Sequence, residues 1–325
     1  MEIFNATLMR VLLAVGVSIL LFMSFVPYIA NVVPFFDVFS HFRLQMFFAA
    51  LFFTLSAIFV NIRVLFVIAL LALVSNTAPL AFKFQNTKDI DKGPEIFQVA
   101  ALNIKWDRDN CNRVRNYISS LKAELIGVIE VTPECRNDLK SLTDIYPYMW
   151  FAEPSTQVID VKLHGMGILS RIPWQKVGQL QSPLISRRYA VVAEFETSAG
   201  SIAVLVSHLV RPVPPYPGDW RLSQGAEVRD LNDYIRNFPG EVIVMGDLNA
   251  TPYGLTFRQL RAVGLRAASG SGEATWPIAL GPLGLPIDHI LVTDGLGASM
   301  SLGSDIGSDH RPVLGKIIRK ARAGP

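Results

Sequence analysis

Three charge-free apolar stretches fill the first 82 residues: Val11–Phe36, Leu44–Ile62 and Val64–Phe82. The second and third, about 19 residues each, reach about 28 Å as helices rising ~1.5 Å per residue, close to a hydrocarbon core of ~30 Å. The first follows Arg10 in the manner of a signal peptide. Its apolar core is too long for one, however, and two more spans come after it. The pattern predicts three transmembrane helices within residues 1–82. Only Asn61-Ile62-Arg63 separates the second span from the third, so these two are expected to form a tight hairpin. A two-helix arrangement, with those two stretches read differently, is the alternative.

A polar segment, Lys83–Glu95, reads as a linker. After it, strand-like and helix-like patterns alternate. Ile96–Ile104 reads as a strand, and Val114, Tyr117, Ile118 and Leu121 have helical spacing within Asn110–Lys122. Leu125–Val131 is an apolar strand. Pro133–Leu142 is a short helix, with Thr132 as its cap and Pro133 at its first position. Strands follow at Met149–Ala152, Met166–Leu169, Tyr189–Phe195 and Ile202–Leu209. Val191–Glu196 hardly alternates, which predicts cover on both faces. A proline-rich loop, Arg211–Gly218, precedes a helix from about Asp219 to Asn237. Strand Val242–Met245, a helix near Thr256–Val263, and strands Ile287–Val292 and Val313–Ile318 complete the chain. Such a mixture predicts a layered α/β domain over residues 96–325, with helices outside the sheets.

Charge sharpens the division. Residues 1–82 carry only Arg10, Arg43 and Arg63 as basic residues and Glu2 and Asp37 as acidic ones; the rest of the chain is close to neutral, with 27 basic and 25 acidic side chains. That is an ordinary soluble surface, unlike the basic face that holds duplex DNA through many phosphates. Near the membrane, Arg10 and Arg63 fall on one side and Arg43, Lys83, Lys88 and Lys92 on the other. Taken literally, that count puts the large domain in the cytoplasm; long domains translocate largely regardless of charge, however, so the last three count for little. An odd number of spans, with Arg10 favouring the cytoplasm, places the large domain outside it. The two cysteines, Cys111 and Cys135, each open a predicted helix just after a strand. Adjacent parallel strands would bring those helix starts together. A bridge would then stabilise by roughly 3 kcal/mol and require an oxidising compartment. Two unrelated thiols is the other reading.

Candidate chemistry gathers at strand ends, where loops collect functional groups. Met245-Gly246-Asp247-Leu248-Asn249 follows one apolar run, and Gly307-Ser308-Asp309-His310-Arg311 precedes another. An Asp-x-Asn pair and an Asp-His pair are what a hydrolase needs to hold a hard divalent cation, position water and steady a phosphate. Glu130, Asn103 and His208 also end apolar strands. Gly-Asp alone is common turn chemistry, so the weight lies in the combination.

Five segments together resemble the endonuclease/exonuclease/phosphatase superfamily: Ala101–Ile104, Gly127–Val131, Val206–Leu209, Gly246–Asn249 and Ser308–Pro312. His164–Arg171 and Pro286–Ile290 agree with them, and the membrane region is similar in composition to bacterial membrane-attached members. The resemblance implies a four-layer α/β/β/α sandwich with the active site at one edge of the sheets. It also implies Mg²⁺ or Mn²⁺ held by Glu130 and Asp309 with Asn103 in support. Asp247 would be the base for the attacking water, with Asn249 and Asn103 on the phosphate. His310, oriented by Asp288, would stabilise phosphoryl charge, and His208 would serve the leaving group. His164 and His289 carry no assigned role; His289 follows Asp288 directly and so should face the other side of its strand.

Three functions remain open on sequence. A membrane-anchored phosphoesterase acting on a lipid headgroup or small phosphoester is favoured. A membrane-tethered nuclease would share the same catalytic groups and differ in its loops. Here only Arg187, Arg188, Arg211, Trp220 and Arg221 cluster, and Arg211 and Trp220 are the residues expected to touch substrate. A catalytically inactive scaffold is disfavoured because every expected catalytic position is filled. Phosphoester and lipid bilayer are therefore the expected partners, nucleic acid the less favoured one.

Overall fold

The computed structural model describes residues 2–82, 93–105, 107, 109–152, 165–181, 188–198, 200–212 and 224–320. The chain divides into two compact units, residues 1–85 with 252–255, and residues 86–251 with 256–325.

The first unit contains α1 (Glu2–Phe25), α2 (Arg43–Phe59) and α3 (Arg63–Phe82), with 3₁₀ turns at Val26–Ile29 and Pro34–Phe42. The apolar stretch Val11–Phe36 is thus not one helix. Pro27 and Pro34 each open a 3₁₀ segment, since proline lacks the amide that would continue an α-helix. Asn61, at φ +55°, makes the tight turn between α2 and α3. Three segments are long and apolar enough to cross a membrane: Thr7–Ile29, Pro34–Phe59 and Arg63–Leu80. Small residues pack at their interfaces, with Ala50, Ala57, Ala69 and Ala72 buried, while Leu12, Ile19, Phe52 and Phe59 point outward. Close helix approach on small side chains with an apolar exterior suits a lipid environment.

The second unit is a four-layer α/β/β/α sandwich. Among its described residues, one six-stranded sheet runs β11-β12-β1-β2-β4-β3 and the other β5-β6-β7-β8-β10-β9. The first uses β1 (Glu95–Asn103), β2 (Leu125–Val131), β3 (Tyr148–Ala152), β4 (Gly165–Ser170), β11 (Leu296–Leu302) and β12 (Val313–Arg319). The second uses β5 (Lys176–Gln181), β6 (Arg188–Thr197), β7 (Gly200–His208), β8 (Glu241–Asp247), β9 (Arg266–Ala267) and β10 (Asp288–Val292). Val99, Ala101, Leu125 and Ile129 meet Val204, Val206, Ile243 and Met245 between the sheets. Gly127 lets them approach; a Cβ there would lie 2.8 Å from Val206 and 3.2 Å from Met245.

Helices α4 (Cys111–Ser120) and α5 (Pro133–Lys140) cover the outer face of the first sheet through Val114, Ile118 and Leu139. Helices α6 (Gln224–Asn237) and α7 (Leu255–Arg261) cover the second through Val228, Leu231, Phe257 and Leu260. Val191–Phe195 is therefore covered on both faces, as its lack of alternation predicts. Thr132 caps α5, its hydroxyl accepting from the Cys135 amide at 3.1 Å. Strands β1 and β2 are parallel, and the helices that follow them begin side by side: Cys111 and Cys135 are disulfide-bonded, with Cα atoms 4.8 Å apart. Strands β5, β9 and β11 lack a clear apolar signal in sequence. Lys176–Gln181 is a half-exposed edge strand, and Leu296–Leu302 is built largely of small residues.

Candidate active site

Strand register brings the functional side chains to one edge of the sandwich. Alternation along β1 turns Val99, Ala101 and Asn103 onto the face between the sheets. In the opposite sheet His208 pairs with Asp247, and Asp247 with Asp288, so three consecutive strands present these residues side by side. Gly246, at φ +131°, permits this; a Cβ there would come within 2.3 Å of the Ser207 carbonyl oxygen.

Glu130 arrives differently. Ile129 faces the inter-sheet core and Val131 the outer layer, so simple alternation leaves no inward place for the residue between them. The pairing of β2 with β4 slips between Ile129 and Val131, and Glu130 takes φ +59°. A bulge of this kind re-aims a side chain next to an active site. The Glu130 carboxylate is thereby turned to Asn103 and His208.

The resulting network is compact. Asn103 Nδ2 donates to Asp247 Oδ2 at 3.1 Å and to Glu130 Oε1 at 3.3 Å, while Asn103 Oδ1 accepts from the Lys105 amide at 3.0 Å. His208 Nε2 lies 3.7 Å from both the Glu130 and the Asp247 carboxylates. His310 Nδ1 is 2.8 Å from Asp288 Oδ2, and its Nε2 faces Asp247 Oδ2 at 3.9 Å. Glu130, His208 and Asp247 place potential ligand atoms within 4.8 Å of one another, as do Asp247, Asp288 and His310.

Electrostatics follow from burial and crowding. Burial, then the neighbouring Asp288 charge, pushes Asp247 up to about 7, with His310 and the Asn249 amide working against the rise. Burial opposes charge on His310, but Asp288 above all, with Asp247 and Asp309, outweighs it and raises the imidazole to about 9. His310 is therefore cationic at neutral pH and Nε2 presents a proton to the site. His289 behaves oppositely: it sits on the outer face against Phe257 and the Ala250 carbonyl, and burial lowers it to about 4.

Asn249 is on the rim. Its amide N–H donates to Asp247 Oδ1 at 2.8 Å, its side-chain Nδ2 donates to the Leu209 carbonyl, and its φ is +47°. Asp309 stands apart from both ligand clusters, one carboxylate oxygen accepting the Trp276 indole N–H at 3.1 Å. Arg211 is exposed in the loop after β7. Trp220, His164, Arg187, Arg221 and most of Lys83–Glu95 lie outside the described residues, as does the side chain of Arg188.

Three supporting residues are not legible in the sequence. Trp276 holds Asp309 and lies 6.1 Å, ring to ring, from His310. Gln224, at the start of α6, donates through Nε2 to the carbonyls of Val210, Leu248 and Asn249, and so ties the His208 loop to the Asp247 loop. Thr275 Oγ1 accepts from the Ile287 and Asp288 amides. A buried Gln at a helix start has no signature of its own; Thr275-Trp276 just before the Asp288 strand is the one available signal.

The sequence profile described as "Endonuclease/Exonuclease/phosphatase family" matches residues 103–310, which run from Asn103 to His310. The chain belongs to the endonuclease/exonuclease/phosphatase family. Members of this family are hydrolases of phosphoesters, typically dependent on a divalent metal. Truncated TDP2 from Caenorhabditis elegans shares the fold at a TM-score of 0.55 and 16% identity, over 68% of this chain and 97% of that one. The 3′ phosphatase NExo from Neisseria, bound to product DNA hairpin, gives 0.55 and 17%, over 69% and 100%. Beta toxin from Staphylococcus aureus gives 0.51 and 15%, over 69% and 100%. Comparison with curated proteins finds no match.

Proposed function

We propose that this family member is a membrane-anchored, divalent-metal-dependent phosphoesterase whose substrate is a lipid headgroup or another small phosphoester. The observation that carries the reading is the joining, in one chain, of the Asn103–Glu130–His208–Asp247–His310–Asp288 network to three helices long enough to span a bilayer.

The donor set suits Mg²⁺ or Mn²⁺. Glu130 and Asp247 are hard oxygen donors; burial above all, then the Asp288 charge and last Glu130, pushes Asp247 up, and a cation would relieve that cost of negative charge. Glu130 would be the principal ligand, with Asn103 in support; Asp309, which stands apart from both clusters, would have to reach the ion from beside Trp276. When bound, the ion supplies positive charge against the phosphoryl oxygens. The remaining work belongs to the chain itself. Asp247 accepts the proton of the attacking water, held in place by the Asn103 amide and the Asn249 N–H. His310, kept cationic by Asp288, donates from Nε2 to a charged phosphoryl oxygen. His208 serves the leaving group. Asn249 would contact the phosphate, and Arg211 and Trp220 the remainder of the substrate.

A nucleic-acid substrate is the second reading, favoured by the likeness to the DNA-bound Neisseria phosphatase fold. Full-length protein is to be assayed with Mg²⁺, Mn²⁺ or EDTA against phospholipid vesicles, a chromogenic phosphodiester and plasmid DNA. Metal-dependent hydrolysis of phospholipid or chromogenic diester is expected. Activity confined to DNA would overturn the substrate, and full turnover in EDTA would overturn the metal.

The oxidised Cys111–Cys135 pair supports placing the catalytic unit outside the cytoplasm. Alkylation of the native protein before and after reduction checks this: two thiols that react before reduction would remove the support.

A further inference from the structure

Among the described residues of the catalytic unit, the large apolar side chains that are substantially exposed are Tyr148 at 36%, Leu280 at 56% and Leu283 at 51%. The two leucines belong to one loop, and Ala279–Leu283 is exposed throughout or nearly so. From Trp276 to Ile287 the sequence, Trp-Pro-Ile-Ala-Leu-Gly-Pro-Leu-Gly-Leu-Pro-Ile, contains no charged side chain, and its one polar side-chain group is the Trp276 indole N–H. Loops normally meet water with polar residues, so an uncharged loop with two leucines at its tip needs a reason.

The base of this loop is also tied to the site. Trp276 and Leu285 exchange backbone hydrogen bonds, closing the base of the loop. The Ile278 amide donates to the Asp309 carbonyl at 3.0 Å, and the Arg311 amide to the Thr275 carbonyl at 2.9 Å. The Trp276 indole holds the Asp309 carboxylate. Within the tip, the Leu280 and Gly284 amides are paired in tight turns. The apolar surface is therefore fixed beside Asp309 and His310.

We infer that Trp276–Ile287 is an interfacial docking loop, whose leucine tip enters the acyl boundary of a phospholipid bilayer and so presents headgroup phosphates to the adjoining site. A bilayer is the occupant the chain itself indicates. Its three candidate spans tether the catalytic unit to a membrane, and a loop with no charged side chain, its Leu280 and Gly284 amides already paired, suits the acyl boundary, where the remaining backbone groups can still reach the headgroup layer. The inference deepens the lipid-phosphoester reading and rests on it for the substrate, whereas insertion itself is read without catalysis.

The test uses full-length protein in phosphatidylcholine nanodiscs. The two native cysteines are bonded, so Leu280→Cys offers one thiol for an environment-sensitive NBD dye. Ser198→Cys is the control, exposed in the β6–β7 hairpin at the end of that sheet opposite His208. At position 280 the dye should shift to the blue and lose at least about half its emission when the acyl chains carry bromine, as expected for a side chain below the headgroups. At Ser198→Cys neither change should occur. Equal emission at position 280 in bromine-bearing and ordinary lipid would overturn the proposal. So would a blue shift that grows with protein concentration in detergent and is not quenched by bromolipid, because that outcome assigns the tip to a second copy of the chain. The Leu280→Gln, Leu283→Gln double variant should lose about a hundredfold or more in the rate on vesicle phospholipid, in line with two leucines withdrawn from apolar burial. A quenched dye with no phospholipid hydrolysis would sustain the docking loop and overturn only the substrate.

Discussion

Glu130→Gly is expected to lower turnover by about three orders of magnitude or more while making the metal-free protein harder to melt. The loss follows from removing the carboxylate proposed as principal metal ligand, where several kcal/mol of charge stabilisation are at stake and each ~1.4 kcal/mol is tenfold in rate. The gain follows from the backbone. Glu130 sits at φ +59°, a left-handed conformation that costs a side-chain-bearing residue roughly 1–2 kcal/mol and glycine little. About 1 kcal/mol corresponds to a rise of about 2–4 °C in Tm for a domain of this size. Asn103 Nδ2 keeps Asp247 as a partner, so only one of its two N–H groups loses its acceptor, and the alanine variant loses the same one. Glu130→Ala should show the same loss of turnover without the gain, since alanine keeps the strain. Thermal scans in EDTA check this: a Glu130→Gly protein that melts no higher than Glu130→Ala would show that the conformation at position 130 stores no strain.

Strain of this sort marks the limit of what the pattern of residues reveals. Apolar runs ending in Asn103, Glu130, His208 and Asp247 are visible in sequence because a buried strand emerging at a sheet edge must put its first polar group there. The opposite placement of His289 and Asp288 is equally legible, since neighbours on a strand face opposite sides. The slip in β2 is not legible. Alternation would have turned Glu130 outward, and only the bulge and its positive φ bring it to Asn103. Gln224 is equally hidden, because its work is done through backbone carbonyls, and Trp276 shows only its place before the Asp288 strand, not its hold on Asp309. The exposed edge strand Lys176–Gln181 and the small-residue strand Leu296–Leu302 carry too little apolar signal to be told from loops.

Asp247→Asn should reduce kcat by about 10²–10⁴-fold, the range for loss of a positioned general base. It should also stabilise the metal-free protein in a pH-dependent way. Asp247 is fully enclosed, and burial together with the Asp288 charge raises its carboxyl to about 7. A carboxyl whose folded pKa is raised favours the folded state in its protonated form. The wild-type protein therefore loses stability as pH rises from its unfolded value of ~3.9 toward 7. Asn imitates the neutral form at every pH. The Tm difference between variant and wild type should be small near pH 4, widen toward pH 7 and then level off. The His310 charge opposes this trend, because Asp247 helps to hold it; Asp288 contributes more to His310 than Asp247 does, so the trend survives. Adding Mg²⁺ should narrow the difference by stabilising the wild-type carboxylate. Melting curves in EDTA across pH 4–8 decide the matter: a difference that stays flat with pH would mean that Asp247 is not held against its charge, and its assignment as the poised base would fall.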